Sequence, residues 1–215
     1  MTVAAWAAFL EDLRRTHGEE AALARAPREI NAGEQPRVLA RWREGQLEIS
    51  GDGWHSVWPS SWPVTLIDQG DALAYTDWLA RRTGQPWRLP PEQEWEPAGR
   101  GADGRVYAWG DHLEAGWACN ALTGAGPPSR ADVGAYPTDE SPLGVQDLCG
   151  NVREWCSSPW TPPAGNAPAA EPFVVIRGGS WTSAPTMCRL AMRFAGRPTD
   201  RLTSLGMRLA RSVLR

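Results

Sequence analysis

The sequence predicts an α+β domain with little regular secondary structure. Many short runs of strand-forming residues stand among two or three helical patterns, which is typical of α+β folds. Thirteen Trp residues accompany only three Tyr and three Phe, and because Trp buries a large area, we expect a core of aromatic side chains. The 22 Gly and 19 Pro residues indicate tight turns between elements. A chain of 215 residues is long enough for one sizeable core, so we expect a single domain over residues 1–215.

Helical patterns occupy the first part of the chain. Thr2 can cap a helix that runs to about Thr16, because apolar residues recur there at helical spacing. A short helix is predicted at Glu19–Arg25. A third helix is predicted at Gly70–Arg82, between a capping Asp68 and a terminating glycine.

Strand signals are short and separated by turns. Glu44-Gly45 predicts a hairpin between the strands Arg37–Trp42 and Gln46–Ile49. Loops are expected at Gly51–Trp62 and Thr161–Pro172. The further strand-like runs are Val64–Ile67, Val106–Trp109, Val133–Tyr136, Phe173–Ile176 and Leu205–Leu209.

Two stretches, Gly144–Trp155 and Arg177–Trp181, are the segments around which we expect the chain to be organised. In the first, Gly150-Asn151 is a turn signal because both residues tolerate positive φ. After this turn, Val and Trp side chains can bury while the Arg and Glu between them stay polar. In the second stretch, Gly178-Gly179 lets the backbone pass close to a bulky group, for which the Trp at the end of each stretch is the candidate.

Four motifs in order resemble the formylglycine-generating enzyme family, also called the sulfatase-modifying-factor domain. They read RLPPEQEWEPAGRG, YAWGD, GVQDLCGNVREW and VIRGGSW, and the resemblance runs from about Pro63 to Leu209. Within the first motif, Pro91–Glu96 is expected to form a short helix. The resemblance implies a C-type-lectin-like fold with short twisted strands and two or three helices. A shared fold does not by itself establish a shared activity.

The family's oxidase chemistry implies two cysteines that hold copper(I) after the Arg-Gly-Gly-Ser motif. Alignment on Arg177–Ser180 places the second thiol at Cys188 and the first position at Ser183. A serine hydroxyl is a hard, weak ligand that does not replace a thiolate for copper(I). We therefore expect Cys188 to be catalytic only if the site is active in an altered form, and the favoured interpretation is a domain without oxidase activity.

Calcium is a second metal that the resemblance implies, with ligands at Asn151 and Glu154. Amide and carboxylate oxygens suit this hard cation. The alternative interpretation is that Asn151 forms a turn and that Glu154 pairs with an arginine. Another branch of the superfamily forms carbon–sulfur bonds with a three-histidine iron site, and the spacing of the three histidines in this chain does not match such a site.

The C-terminal loops are the candidate ligand-binding surface. The resemblance places them over the groove in which the enzymes bind peptide, and related folds serve as variable binding proteins. Mixed Met, Phe, Arg and Ser residues suit adaptable recognition, although an ordinary surface loop is the alternative. The candidate residues are Trp181, Thr182, Ser183, Met187, Arg189, Met192, Phe194, Arg197 and Arg201. The expected ligand is a protein, a peptide or a small molecule, with a protein or peptide as the expected partner; a purely structural module within a larger complex is a further alternative.

Composition excludes some other classes of partner. The net charge of −3 gives no general basic surface for nucleic acid. No apolar run approaches the length of a membrane span, and the N-terminus lacks a basic-then-apolar signal pattern. Four cysteines without zinc-ligand spacing predict reduced thiols in a cytoplasmic protein.

Overall fold

A computed structural model describes residues 1–30, 35–56, 58–162 and 172–212. Most of the predicted loop at Thr161–Pro172 lies outside these residues. The α-helices are α1 (Val3–His17), α2 (Glu19–Ala24), α3 (Gln69–Thr83) and α4 (Glu92–Arg100). Short 3-10 turns cover Ala115–Trp117 and Pro185–Met187.

The strands are short, as predicted. They are β1 (Arg28–Glu29), β2 (Arg37–Val38), β3 (Ala40–Arg43), β4 (Gln46–Ile49), β5 (Trp87–Arg88), β6 (Arg153–Pro159), β7 (Val174–Arg177), β8 (Arg193–Gly196), β9 (Leu205–Met207) and β10 (Ala210–Arg211). Three two-stranded ribbons, β1-β2, β3-β4 and β5-β10, surround a four-stranded sheet of order β8-β7-β6-β9. The predicted hairpin is confirmed as β3-β4, with Glu44 and Gly45 both at positive φ in its turn.

The helix boundaries follow the capping residues. The Thr2 side chain accepts a hydrogen bond from the Ala5 N–H and begins α1. Asp68 forms a capping box with Asp71 at the start of α3, and Gly84 ends this helix in the left-handed conformation. α4 continues beyond the predicted Pro91–Glu96 segment. Its acidic first turn lies at the positive end of the helix dipole.

The four-stranded sheet carries the two stretches around which the chain was expected to be organised. β6 and β7 are antiparallel, with Trp155 opposite Ile176. β9 pairs with β6 in parallel and covers the first three residues of the predicted strand Leu205–Leu209, with Leu205 and Met207 buried. The sequence did not predict β8, which pairs with β7 through Phe194 opposite Ile176. Residues from both stretches therefore lie next to each other at the start of β6 and the end of β7.

Aromatic side chains form much of the core, as the composition predicted. The fully buried tryptophans are Trp6, Trp95, Trp155 and Trp181. In the main cluster, Trp6 of α1 stacks on Tyr75 of α3 with ring centroids 5.3 Å apart. The Trp155 indole N–H donates to the Ile67 carbonyl at 3.2 Å, which satisfies its buried donor. α1, α3 and the central sheet consequently share one apolar cluster.

Three predicted strands are wrong. Val64–Ile67 is buried, but Leu66 has φ 57° and the segment is irregular. Val106–Trp109 forms a tight turn closed by the bridge between Tyr107 and Gly110. Val133–Tyr136 is also a turn, with Gly134 at φ 76°. Strand-forming residues occur in all three segments, but positive φ and local hydrogen bonds overrode that propensity.

Among the described residues, no helix has the length and apolar character needed to cross a membrane.

Candidate functional site

The turn that follows β7 brings three backbone and sulfur groups close together. A Cβ atom added at Gly179 would lie 2.4 Å from the Cys149 carbonyl oxygen and 2.6 Å from the Cys188 sulfur. Gly178 has φ 86°, and its nearest neighbours are the Leu148 carbonyl and the Trp95 ring. The prediction that Trp155 or Trp181 is the bulky group next to these glycines is therefore wrong. The glycines admit the Cys149 backbone and the Cys188 side chain instead.

Ser183 and Cys188, the two positions that align with the family's copper cysteines, both lie beside the Ser180 backbone N–H. This N–H donates to the Ser183 hydroxyl at 3.1 Å. It also interacts with the Cys188 thiol, where it partly offsets the rise that burial causes in the pKa of that thiol. The Ser180 and Ser183 hydroxyl oxygens are 2.8 Å apart. Ser183 and Cys188 are 3% and 2% exposed. The fold thus keeps the two positions together, but the donor set is one hydroxyl and one thiol.

The remaining thiol is a weak donor for copper(I). Burial raises the pKa of Cys188 to about 12, so this group is protonated at neutral pH, whereas metal binding requires the thiolate. Cys149 lies across Gly179 from Cys188, but its sulfur accepts a hydrogen bond from the Ala108 N–H at 3.2 Å. Burial also raises the pKa of Cys149 well above its usual range. The residues present do not fit a bis-thiolate copper site.

Arg153 lies at the same site, although its position in the sequence did not indicate a role there. Its Nη2 group donates to the Ser183 hydroxyl at 3.1 Å. Its guanidinium lies over the Phe194 ring, 4.2 Å from the centroid. Burial lowers the pKa of Arg153. The only signal for Arg153 in the sequence was a charged residue in the GNVREW motif, between the calcium candidates Asn151 and Glu154.

The candidate ligand-binding residues fall into three groups by exposure. Thr182, Arg189 and Arg197 are exposed, and Met187, Met192 and Phe194 are partly exposed.

The third group consists of Trp181, Ser183 and Arg201, whose side chains are largely buried. Trp181 is 1% exposed, and its indole N–H donates to the Thr203 carbonyl at 3.2 Å. The Arg201 side chain pairs with Asp68 at 2.6 Å and with Asp71 at 2.7 Å. With Ser183, these residues are placed to support the loops rather than to touch a ligand directly.

An exposed tryptophan adds to this surface. Trp54 lies in the predicted loop Gly51–Trp62, is 72% exposed, and packs its ring edge against Trp181 at 5.8 Å. The neighbouring His55 also contacts Trp181, with ring centroids 5.5 Å apart. The Asp52 carboxylate accepts from His55 and pairs with the buried Arg130. Contact between segments far apart in sequence creates this aromatic cluster, which is why the sequence did not reveal it.

The residues assigned to calcium already have protein partners. Asn151 has φ 64°, and its side chain makes two hydrogen bonds to the Ala131 backbone, at 3.1 and 3.2 Å. The Glu154 carboxylate accepts from the Trp95 indole at 2.6 Å and from the Arg208 guanidinium at 2.9 Å. This arrangement matches the alternative interpretation of a turn residue and an arginine pair. The Asn151 and Glu154 oxygens are engaged in these contacts, so as placed they do not fit a calcium site. Within the described ranges, no three His, Cys, Asp or Glu side chains cluster as metal ligands.

A cavity of about 620 Å³ lies beside the Glu154 carboxylate, with Trp95 and Arg208 among its lining residues. Successive side chains of a strand point to opposite faces. Arg153 and Glu154 are adjacent in β6, so this cavity and the Arg153–Ser183 site lie on opposite faces of the central sheet.

Comparison with known proteins identifies the family. The family model described as "Sulfatase-modifying factor enzyme 1-like domain" matches residues 1–213. The chain belongs to this family. The resemblance predicted from the four motifs is thereby confirmed.

Relatives in this family carry different names. The chain is 35% identical to "Formylglycine-generating enzyme" of Streptomyces coelicolor over 80% of its length, and it spans 58% of that relative. It is 32% identical to "Hercynine oxygenase" of Mycobacterium tuberculosis, over 79% of the chain and 41% of the relative. It is also 32% identical to "Inactive C-alpha-formylglycine-generating enzyme 2" of Mus musculus, over 83% of the chain and 57% of the relative. The chain thus spans about half the length of these curated relatives.

Solved structures support the fold. The structure of PvdO from Pseudomonas aeruginosa matches with a TM-score of 0.63 and 27% identity, covering 80% of this chain and 70% of that chain. Treponema denticola variable protein 1 matches with a TM-score of 0.64 and 19% identity, covering 97% of this chain and 81% of that chain. The predicted fold class, α+β of the formylglycine-generating-enzyme type, is confirmed.

Proposed function

We propose that this formylglycine-generating-enzyme-like domain lacks copper-dependent oxidase activity and binds a protein or peptide ligand through its C-terminal loops. One observation carries the proposal: the Ser183 hydroxyl occupies the first copper position and is held there by Ser180 and Arg153. A hydroxyl fixed in this network cannot supply the second soft ligand that copper(I) needs. The mouse relative whose name begins "Inactive" supports the idea that the family includes members without the oxidase activity.

The proposed binding surface consists of the exposed and partly exposed residues of these loops. They are Thr182, Met187, Arg189, Met192, Phe194 and Arg197. Flexible methionines and an aromatic ring provide adaptable apolar contact, and arginines provide directional hydrogen bonds. The exposed Trp54 lies against Trp181 and extends this surface beyond the C-terminal segment.

A second candidate function is an oxidase with an altered site. It is favoured by the 35% identity to a protein named formylglycine-generating enzyme, and by the position of Gly179, which is approached by the Cys149 backbone carbonyl and by the Cys188 sulfur. In this alternative, the Cys149 thiol would replace the missing family cysteine as a copper ligand. Its hydrogen bond from Ala108 would then have to break.

Copper titration separates the two candidates. The reduced protein is titrated with copper(I) against a competing chelator, alongside Ser183→Cys, Cys188→Ser and Cys149→Ser variants. We expect no competitive binding by the natural sequence and a gain of one-to-one binding in Ser183→Cys, because that change restores two adjacent thiols. Tight binding by the natural protein that is lost in both Cys188→Ser and Cys149→Ser would overturn the proposal and establish the altered oxidase site.

The ligand-binding part has its own test. Peptides selected from a display library on the natural protein are measured against a Met192→Glu variant and against a Leu143→Glu control. Leu143 is an exposed leucine outside the proposed surface. We expect binding to fall at least tenfold in Met192→Glu and to stay unchanged in the control. Equal binding by both variants would contradict the proposed surface.

We also propose a cytoplasmic location and one domain over residues 1–215. All four cysteines are free and buried, which agrees with a reducing compartment. Side chains of α1 share a cluster with Trp155 and Ile176 of the central sheet, which supports one folding unit. A single cooperative unfolding transition seen equally by fluorescence and circular dichroism would test the second point.

A further inference from the structure

Most of the buried arginines in the part of the chain that the structure describes have a carboxylate partner. Within the residues that the structure describes, the arginine–carboxylate pairs with strongly buried arginine side chains are Arg130–Asp52, Arg177–Glu96 and Arg201–Asp68. The Arg208 side chain, 25% exposed, pairs in the same way with the buried Glu154. Such pairing is what makes a buried charge tolerable, since an uncompensated charge in the interior is costly.

Arg153 differs from these arginines. Among the described residues no carboxylate pairs with it, and only its Nη2 group has a protein acceptor, the Ser183 hydroxyl. Its Nε–H is buried without a partner, as are those of Arg130 and Arg177, so the lack of a carboxylate is what distinguishes Arg153. The Phe194 ring, 4.2 Å from the guanidinium carbon, offers a favourable but weaker interaction than an ion pair. Arg153 is therefore a partly buried cation whose charge no carboxylate within the described ranges neutralises.

Hydroxyl groups extend from this cation to the surface. Ser183 contacts Ser180, and the Ser180 hydroxyl lies 3.0 Å from the Thr182 hydroxyl. Thr182 is exposed and Arg153 is partly exposed, whereas Ser180 and Ser183 are buried, so the Arg153 side chain meets solvent on the side where the Thr182 hydroxyl can act as a donor. Arginine with hydroxyl donors is a combination that suits oxyanions.

We propose that Arg153 binds a carboxylate group of the ligand, with the Thr182 hydroxyl as a second donor. This inference rests on the proposed binding function and specifies the chemistry of the ligand. A planar guanidinium matches a carboxylate in shape and forms two parallel hydrogen bonds with it. One cation balances one monoanion, which favours a carboxylate over a doubly charged phosphate.

Thermal unfolding in the presence of sodium acetate tests whether the Arg153 guanidinium binds a carboxylate. The natural protein, an Arg153→Met variant and an Arg41→Met control are unfolded in acetate and in sodium chloride of equal ionic strength. Arg41 is a surface residue whose side chain is 69% exposed. Because a bound anion stabilises the native state by mass action, we expect acetate to raise the melting temperature of the natural protein and the control above the chloride value. We expect no such difference in Arg153→Met, and an equal acetate effect in all three proteins would overturn the proposal.

The same variants separate a binding role from a structural one. If the cation is unneutralised until a ligand binds, Arg153→Met in chloride should unfold at the same or a higher temperature than the natural protein. A purely structural arginine predicts the opposite, a clearly lower melting temperature, and that result would overturn the proposal.

Two further probes identify the source of the carboxylate. A blocked peptide with one Glu side chain as its only acid is compared with its Gln counterpart and with free acetate. Stronger stabilisation by the Glu peptide indicates a protein ligand, and equal stabilisation by acetate indicates a small acid; both support the carboxylate assignment. Equal effects of the Glu and Gln peptides, without an acetate effect, would contradict it. Copper titration is independent of these measurements, so a failure of the non-catalytic proposal is recognised separately.

Discussion

The Arg208 Nε group donates to both carboxylate oxygens of Glu154, at distances of 2.9 and 3.1 Å. Glu154 belongs to β6, and Arg208 directly follows β9. Glu154 is 5% exposed, and it also accepts the indole N–H of Trp95. The pair therefore links the GNVREW motif, α4 and the end of the last central strand in one buried network.

We predict that Arg208→Met destabilises the protein by about 3–5 kcal/mol, because the Glu154 charge would be left buried without its cation. The double variant Arg208→Met with Glu154→Gln should recover part of this loss. Unfolding in urea measures both values. The matched control is Arg41→Met, which removes a surface pair with Glu48 and should cost less than about 1 kcal/mol. Similar losses in Arg208→Met and the control would show that the buried pair has no special role.

Gly179 is expected to be intolerant of even one methyl group. Gly179→Ala would place a Cβ 2.4 Å from the Cys149 carbonyl and 2.6 Å from the Cys188 sulfur. Because one of these atoms is backbone, relief requires a shift of the chain, and we expect a loss of about 1–3 kcal/mol or more. Gly126→Ala is the control, since a Cβ at Gly126 has no neighbour within 4 Å. Equal stability of the two variants in urea would contradict the close approach.

Asp139 should make the protein less stable as the pH rises towards neutrality. Burial raises the pKa of Asp139 from 3.8 to about 7. Between these pH values the native state holds a proton that the unfolded state has lost, so the free energy of unfolding decreases with pH by at most about 1.4 kcal/mol per unit. Asp139→Asn retains an acceptor for the Cys149 N–H and should remove this contribution.

The comparison that tests this is the free energy of unfolding at several pH values between 4 and 7 for the natural protein, Asp139→Asn and Glu140→Gln. Glu140 is an exposed neighbour and should leave the slope unchanged. A slope that persists in Asp139→Asn would assign the pH dependence to another group.

Calcium is predicted not to stabilise this domain. The Asn151 amide is held by Ala131, and the Glu154 carboxylate is held by Trp95 and Arg208, so a cation would have to displace existing partners. We expect the melting temperature to be the same in calcium chloride and in EDTA, with magnesium chloride as the ionic control. A rise specific to calcium, lost in Asn151→Ala, would restore the calcium assignment implied by the family resemblance.

Local signals in the sequence were sufficient for the helices and for the hairpin. Thr2, Asp68 and Gly84 are capping residues whose effect depends on only a few neighbouring positions. The same kind of local reasoning failed at Leu66 and Gly134. Strand-forming residues surround both positions, but positive φ there prevents an extended strand.

The candidate site could be predicted only in part. The motif spacing assigned Ser183 and Cys188 to the copper positions, and the structure brings both beside the Ser180 N–H. The roles of Arg153 and Trp54 were not predictable, because each depends on a partner distant in the chain. Arg153 meets Phe194 across the sheet, and Trp54 meets Trp181 from a separate loop.

The sequence by itself determined the family and the fold class, because these follow from motifs, and its alignment on the same motifs predicted that Ser183 replaces one of two thiols. Only the tertiary structure decided which charges are neutralised. Glu154 pairs with Arg208, which lies 54 residues later in the chain and directly follows β9. Arg153, the neighbour of Glu154 in β6, points to the opposite face and contacts the Ser183 hydroxyl and the Phe194 ring. Alternation along the strand and long-range packing make that distinction, and neither is encoded in the spacing of a motif.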